Sequence, residues 1–124
     1  MKILMKRLLE ALATLLVLTF AGWTIYSTYP KKAVLSLANN KMTYNGVLRN
    51  GRLDGKGTLT YDNKDRYVGQ FKDGAFDGQG TFYSHEGWSY TGEFKKGQAN
   101  GHGRLKLPDG KQYQGKFKQG IYQK

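Results

Sequence analysis

The chain has no cysteine among its 124 residues. That excludes both a disulfide framework and a zinc–thiolate site. Histidine is nearly as scarce. His85 sits beside Glu86 and His102 lies between two glycines, and neither has an Asp or a second His at metal-ligand spacing. Serines are few, and none falls in a nucleophile motif. The run Asp54-Gly55-Lys56-Gly57-Thr58 ends like a phosphate-binding loop, but Gly51 stands at the wrong spacing and no helix is expected to follow it. No catalytic residue, metal ligand or cofactor site can be named, so no enzyme and no cofactor is expected. Acidic residues are also in short supply, 9 against 20 Lys and Arg, for a net charge of +11. Residues 1–40 contribute +4 of this and residues 41–124 contribute +7. A basic surface favours anionic partners such as phospholipid headgroups, wall polymers or nucleic acid.

One stretch lacks formal charge altogether. Residues 11–29 carry none, and extension back to Leu8 adds a single acid, Glu10. About 20 apolar residues at a rise of about 1.5 Å span a hydrocarbon core. Lys2, Lys6 and Arg7 precede the stretch; Trp23, Tyr26 and Tyr29 sit toward its far end, where aromatic rings anchor at an interface. Pro30, Lys31 and Lys32 end it. A cleaved signal peptide needs small residues before the cut, and only Thr19 and Ala21 offer them. A buried core helix would have nothing to pack on. The reading favoured is a basic flank over 1–7, an uncleaved transmembrane signal anchor over 8–29 and a linker over 30–43. Glu10 lies within one turn of the end and can reach the interface. Basic residues flank both sides, so their count does not orient the span. The export-like layout places the remainder outside, at the cell membrane. Within the linker, Asn39-Asn40 reads as a turn, and the segment before it could add a strand.

The rest of the chain is repetitive. Residues 44–66, 67–89 and 90–112 are three units of 23 residues without insertion or deletion, and 113–124 begins a fourth. A fixed period marks an array in which each unit buries its apolar face against its neighbours. With each tyrosine numbered zero, positions 0, 2 and 4 read Tyr-Gly-Leu in the first unit and Tyr-Gly-Phe in the other three. Positions 1, 3 and 5 are mostly polar or basic. This period of two predicts a strand with one aromatic and one polar face. Positions 13, 15 and 17 predict a second strand of the same sidedness. The glycine-bounded segment 50–55 and its equivalents are read as the longer connection. Glu86-Gly87 and Asp109-Gly110 are read as the tighter turns, with Asn63-Lys64 replacing them in the first unit. The fold class is therefore an all-β array of consecutive antiparallel hairpins in one twisted sheet, preceded by the transmembrane helix.

The pattern Y-x-G-x-[FW]-x-x-G-x-x-x-G-x-G, with Pro108-Asp109-Gly110 closing the third unit, resembles the MORN repeat. Positions 0, 2, 7, 11 and 13 match in all three full units. Leu48 departs from the aromatic position, Lys64 from the turn glycine, and the fourth unit stops short. The resemblance implies non-catalytic scaffolding, dimerisation or membrane attachment.

Two candidate surfaces follow from the residues. The aromatic face comprises Tyr44, Tyr67, Phe71, Phe82, Tyr90, Phe94, Tyr113 and Phe117. No helix or second sheet is encoded to cover it, so it must fold on itself, stay wet or meet a partner; the first is the main reading. The basic stripe comprises Arg49, Lys72, Lys95, Lys116 and Lys118, either as a solvated face that keeps sheet edges soluble or as an anion-binding surface. Expected partners are the membrane, a protein, and anionic lipid or wall polymer. Nucleic acid is disfavoured, because rings and lysines fall on opposite faces. A wall-polysaccharide module is the runner-up, weakened by the presence of only Trp88 in the repeats; an accessory subunit of an envelope enzyme is a third reading. An unpaired strand over 113–118, or the aromatic face beside it, would also allow a weak homodimer, tighter at high salt as lysine repulsion is screened.

Overall fold

The computed structural model describes residues 5–7, 10 and 29–124. The expected span 8–29 lies outside the described residues except at Glu10 and Tyr29. Among the described residues no helix is long and apolar enough to cross a membrane.

The repeats form one sheet of nine strands, each antiparallel to the next in chain order. The strands are β1 Lys31–Leu37, β2 Met42–Arg49, β3 Arg52–Tyr61, β4 Arg66–Lys72, β5 Ala75–Tyr83, β6 Ser89–Lys95, β7 Gln98–Lys106, β8 Gln112–Lys118 and β9 Ile121–Tyr122. The sheet therefore begins inside the stretch read as a linker. β1 pairs with β2 along its whole length, from Lys31↔Leu48 to Leu37↔Met42. Its alternating Ala33, Leu35 and Leu37 are the more buried side chains, which is why it continues the array without carrying the repeat motif. Asn39 and Asn40 do form the turn, both with positive φ.

The connection lengths are the reverse of the expectation. Asn50-Gly51, Asp73-Gly74, Lys96-Gly97 and Gln119-Gly120 are two-residue turns with positive φ at both residues. That is the signature of a type I′ turn, whose twist matches the flanking strands. The second strand thus starts at position eight rather than beyond position eleven. The other connections, at 62–65, 84–88 and 107–111, are the longer ones. In each, a residue at position 20 takes positive φ: Lys64, Gly87 and Gly110. In the first unit it is Lys64, not Asn63, that occupies the left-handed conformation.

The glycine at position eleven is needed for a different reason. One residue separates Gly46 from Leu48, but three separate their partners Gly57 and Leu53; the same bulge recurs at Gly69/Phe71 and Gly92/Phe94. Gly55, Gly78 and Gly101 absorb it with φ of 87°, 94° and 109°.

The end of the sheet also differs from expectation. β8 is not bare: β9 pairs with it through Phe117↔Tyr122 and Lys118↔Ile121. The Gln123 N–H donates to the Lys116 carbonyl at 2.9 Å. The strand edge expected to be free for dimerisation is thereby covered at 116–118, because residues 119–122 make the same tight hairpin as the other units.

Candidate binding surface

The aromatic face is a core rather than a platform. Seven glycines stand in register across β2 to β8: Gly46, Gly57, Gly69, Gly80, Gly92, Gly103 and Gly115. They leave a bare rail of backbone, and the position-zero tyrosines of the three full units, Tyr44, Tyr67 and Tyr90, lie on it. A Cβ at Gly57 would meet Tyr44 at 2.5 Å, and one at Gly80 would meet the Tyr67 hydroxyl at 2.4 Å. The hydroxyls of these three tyrosines each donate to a carbonyl three residues on, where the bulge takes that residue out of register: Tyr44 to Val47 at 2.6 Å, Tyr67 to Gln70 at 2.7 Å and Tyr90 to Glu93 at 3.0 Å. Burial is the main reason the Tyr67 pKa is pushed up to about 12.

The bulge is held from the opposite face by the same residues. The side chains of Gln70 and Glu93 lie over Gly78 and Gly101. Their oxygens accept the N–H groups of Gln79 at 3.3 Å and His102 at 2.6 Å. Val47 covers Gly55 by contact alone.

Phenylalanines at position four lock neighbouring units together. Phe71 meets Tyr67 of its own unit and Tyr44 of the preceding one edge-on, at 5.0 and 5.2 Å. Phe94 does the same with Tyr90 and Tyr67, at 5.0 and 5.1 Å, and Phe117 reaches back to Tyr90 at 4.9 Å. Edge-to-face contact at these distances is the favoured arrangement of aromatic quadrupoles. Of the eight candidate aromatic residues, Tyr44, Tyr67, Phe71, Tyr90, Phe94 and Phe117 are buried, and none of these six offers a ring face to a ligand. Phe82 is half-buried and stacks with Trp88 at 5.5 Å. Tyr113 remains 42% exposed.

The polar face carries the candidate cations. Arg49, Lys72, Lys95 and Lys118 are the last residues of β2, β4, β6 and β8, so the structure gathers them beside the tight turns, all exposed. Equivalent strands recur every second strand, about 10 Å apart. Lys116 is exposed but stands in another row, that of Val47, Gln70 and Glu93. The stripe is not uniform. Position ten holds Asp54, Asp77 and Asn100 in successive units, and Arg49 lies 4.0 Å from Asp54. Residues 41–89 carry seven Lys or Arg against six Asp or Glu, net +1, whereas residues 90–124 carry eight against two, net +6. The positive charge of the sheet is concentrated in its last third. Position ten contributes to this polarity, since Asp54 and Asp77 are two of the six acids in residues 41–89 and Asn100 is neutral.

One further polar contact ties two units. The His85 Nδ1–H and its backbone N–H both donate to Asp65 Oδ1, at 2.7 and 2.8 Å. The two hydrogen bonds from His85 hold the Asp65 carboxyl below its ordinary 3.8, and the hydrogen bond to Asp65 raises His85 above its ordinary 6.5. A histidine with a raised folded pKa contributes stability that is complete below the unfolded value and fades as pH rises through the folded one. The lowered aspartate contributes above its unfolded value and fades as pH falls through its folded one. The clasp is therefore strongest between about pH 4 and 6.5. An NMR titration of the His85 imidazole should give a midpoint above its ordinary 6.5, and Asp65→Asn should bring it down. A midpoint for His85 unmoved by Asp65→Asn would mean that the pair does not form in solution.

Among the described residues no group of three His, Cys, Asp or Glu could hold a metal ion. Consecutive hairpins, a ring-over-glycine core and a fixed period of 23 define a β-hairpin repeat protein. The MORN repeat family matches at residues 44–66, 67–89 and 90–112, more than half of the chain. The chain belongs to the MORN-repeat family. No curated protein matches it.

Proposed function

We propose that the chain is a non-catalytic, membrane-anchored binding and scaffolding module of the cell envelope, with the sheet displayed outside the membrane. Its partners on this reading are a protein and an anionic surface, either lipid headgroups or wall polymer. The observation that carries the reading is the concentration of net charge +6 in residues 90–124, on a sheet whose rings are used up in its own core. Such a surface attracts polyanions over roughly 10 Å at about 0.1 M salt and over longer distances at lower salt. The uncharged stretch 11–29 supports the anchor. Burial of six of the eight candidate rings weighs against the polysaccharide alternative, which needs exposed ring faces. The position-zero tyrosines and glycine rail are structural, and no acid, base and nucleophile converge on the described surface.

Fractionation of the full-length chain tests the anchor: it should stay with membranes through alkaline carbonate, and release would remove the anchor. Protease treatment of intact cells should cleave the repeats, and protection would place them inside. Retention by purified wall or by anionic vesicles should weaken with salt and with charge reversal at Arg104, Lys106 and Lys116. Retention indifferent to all three would dismiss the anionic-surface reading.

A further inference from the structure

The two ends of the sheet are finished differently. At the far end β9 is two residues long, and Lys116, Lys118 and Lys124 lie on or beside β8 and β9. Short edge strands and lysines are devices that keep an open edge from pairing with another chain. At the near end β1 has a different character. It runs for seven residues, Lys31–Leu37, and keeps register with β2 throughout, with no bulge. Among the described residues no strand pairs with its other side. Residues 33–37, Ala-Val-Leu-Ser-Leu, carry no charge, no proline and no glycine. A regular, largely apolar strand of this kind is a template for a further strand. Its side chains are also left half covered. Leu35 and Leu37 pack against the core on the aromatic face but are only partly buried, and Val34 is 67% exposed on the other face.

We infer that β1 is a self-pairing edge whose occupant is β1 of a second copy of this chain, antiparallel and centred on Val34. The strand matches itself in that register. Lys32 comes opposite Ser36 of the second copy, Ala33 opposite its Leu35, and Val34 opposite its Val34. Paired residues differ by an even number of positions, so the aromatic-side residues of one copy meet those of the other and the two cores join into one. A small side chain meets a large one at Ala33 and Leu35. No charge stands opposite a like charge, the arrangement that cross-strand pairing penalises. The two Lys32 residues end up about 14 Å apart along the strands, more than the Debye length of about 10 Å at 0.1 M salt. The contact is isologous, so it closes at two copies and uses up both β1 edges. A foreign strand would make the same backbone bonds without this match of side chains. The inference goes beyond the scaffolding reading and does not depend on the anchor.

The chain has no cysteine, so single introduced cysteines report the pairing directly. The test uses the full chain in phosphatidylcholine vesicles, oxidised with copper phenanthroline and read on non-reducing gels. Val34→Cys should give a disulfide-linked dimer, because directly opposed residues lie about 4.5–5.5 Å apart, within disulfide reach. Lys32→Cys alone and Ser36→Cys alone should give little, since each lies about 14 Å from its own copy. Mixed together, those two should cross-link to one another. In neutral detergent the unaltered chain should sediment as a reversible dimer. Val34→Lys sets two ammonium groups face to face on the axis and should weaken that dimer about fivefold or more. Residues 32, 34 and 36 are all exposed, so these variants should keep the circular dichroism of the sheet. If Val34→Cys does not fold, the mixture of Lys32→Cys and Ser36→Cys decides instead. Equal cross-linking by the three single variants, none at a folded Val34→Cys, no product from the mixture, or an undiminished dimer of Val34→Lys overturns the inference. So does cross-linking of Val34→Cys in native membranes to a different protein and not to itself, which would give the edge to a foreign strand.

Discussion

Replacing Gly80 with alanine should destabilise the sheet by about 3 kcal/mol, at the upper end of what an overpacked methyl costs. The added Cβ would stand 2.4 Å from the Tyr67 hydroxyl and 2.6 Å from its ring. That ring is wholly buried between Phe71, Phe76 and Phe94, so it cannot move aside without disturbing its neighbours. Gly80 does not have a positive φ, so the cost is steric and not torsional. Gly74 gives the opposite case. Its φ is 86° and nothing lies within 4 Å of an added Cβ, so Gly74→Ala should cost only about 1 kcal/mol of backbone strain. Urea denaturation of the full chain compares the two directly. If Gly80→Ala is no worse than Gly74→Ala, the rings do not lie on the glycine rail.

Tyr67→Ala should cost about 3–5 kcal/mol, as for other large aromatic side chains removed from a core. Small domains have a total stability of roughly 5–15 kcal/mol, so this change alone can unfold the array. The effect is large because Tyr67 is the ring at which the second unit is stacked by Phe76 and gripped edge-on by Phe94 of the third. Tyr67→Phe keeps the ring and loses only the hydroxyl bond to the Gln70 carbonyl, so it should cost about 0.5–1.5 kcal/mol. Tyr113 occupies position zero of the fourth unit and has the same sequence context. It is 42% exposed, and among the described residues its one ring contact is with Tyr122 at 5.7 Å. Tyr113→Ala should therefore cost about 1 kcal/mol or less, well below full burial of such a ring. Equal losses at Tyr67 and Tyr113 would show that the ring contacts between units do not carry the stability.

These contrasts separate what was legible in the letters from what was not. The period of 23, the antiparallel hairpins and the sidedness of each strand were determined by sequence alone. Each follows from local rules: alternation dictates the buried face, and Gly or Asn marks positions where the backbone must turn. The family followed from the same residues. Tertiary structure decided the rest. Position-eleven glycines look like loop residues, but they lie inside strands, because the bulge they absorb is a relation between two strands and leaves no local signature. β1 was assigned to a linker because it bears no motif, and it is a strand because β2 offers it an edge. The tyrosines and phenylalanines read chiefly as the fold's own packing, with a binding surface as the lesser alternative, but the letters did not say how a single sheet would bury them. Most became core, because their burial depends on seven glycines from seven strands arriving in one row.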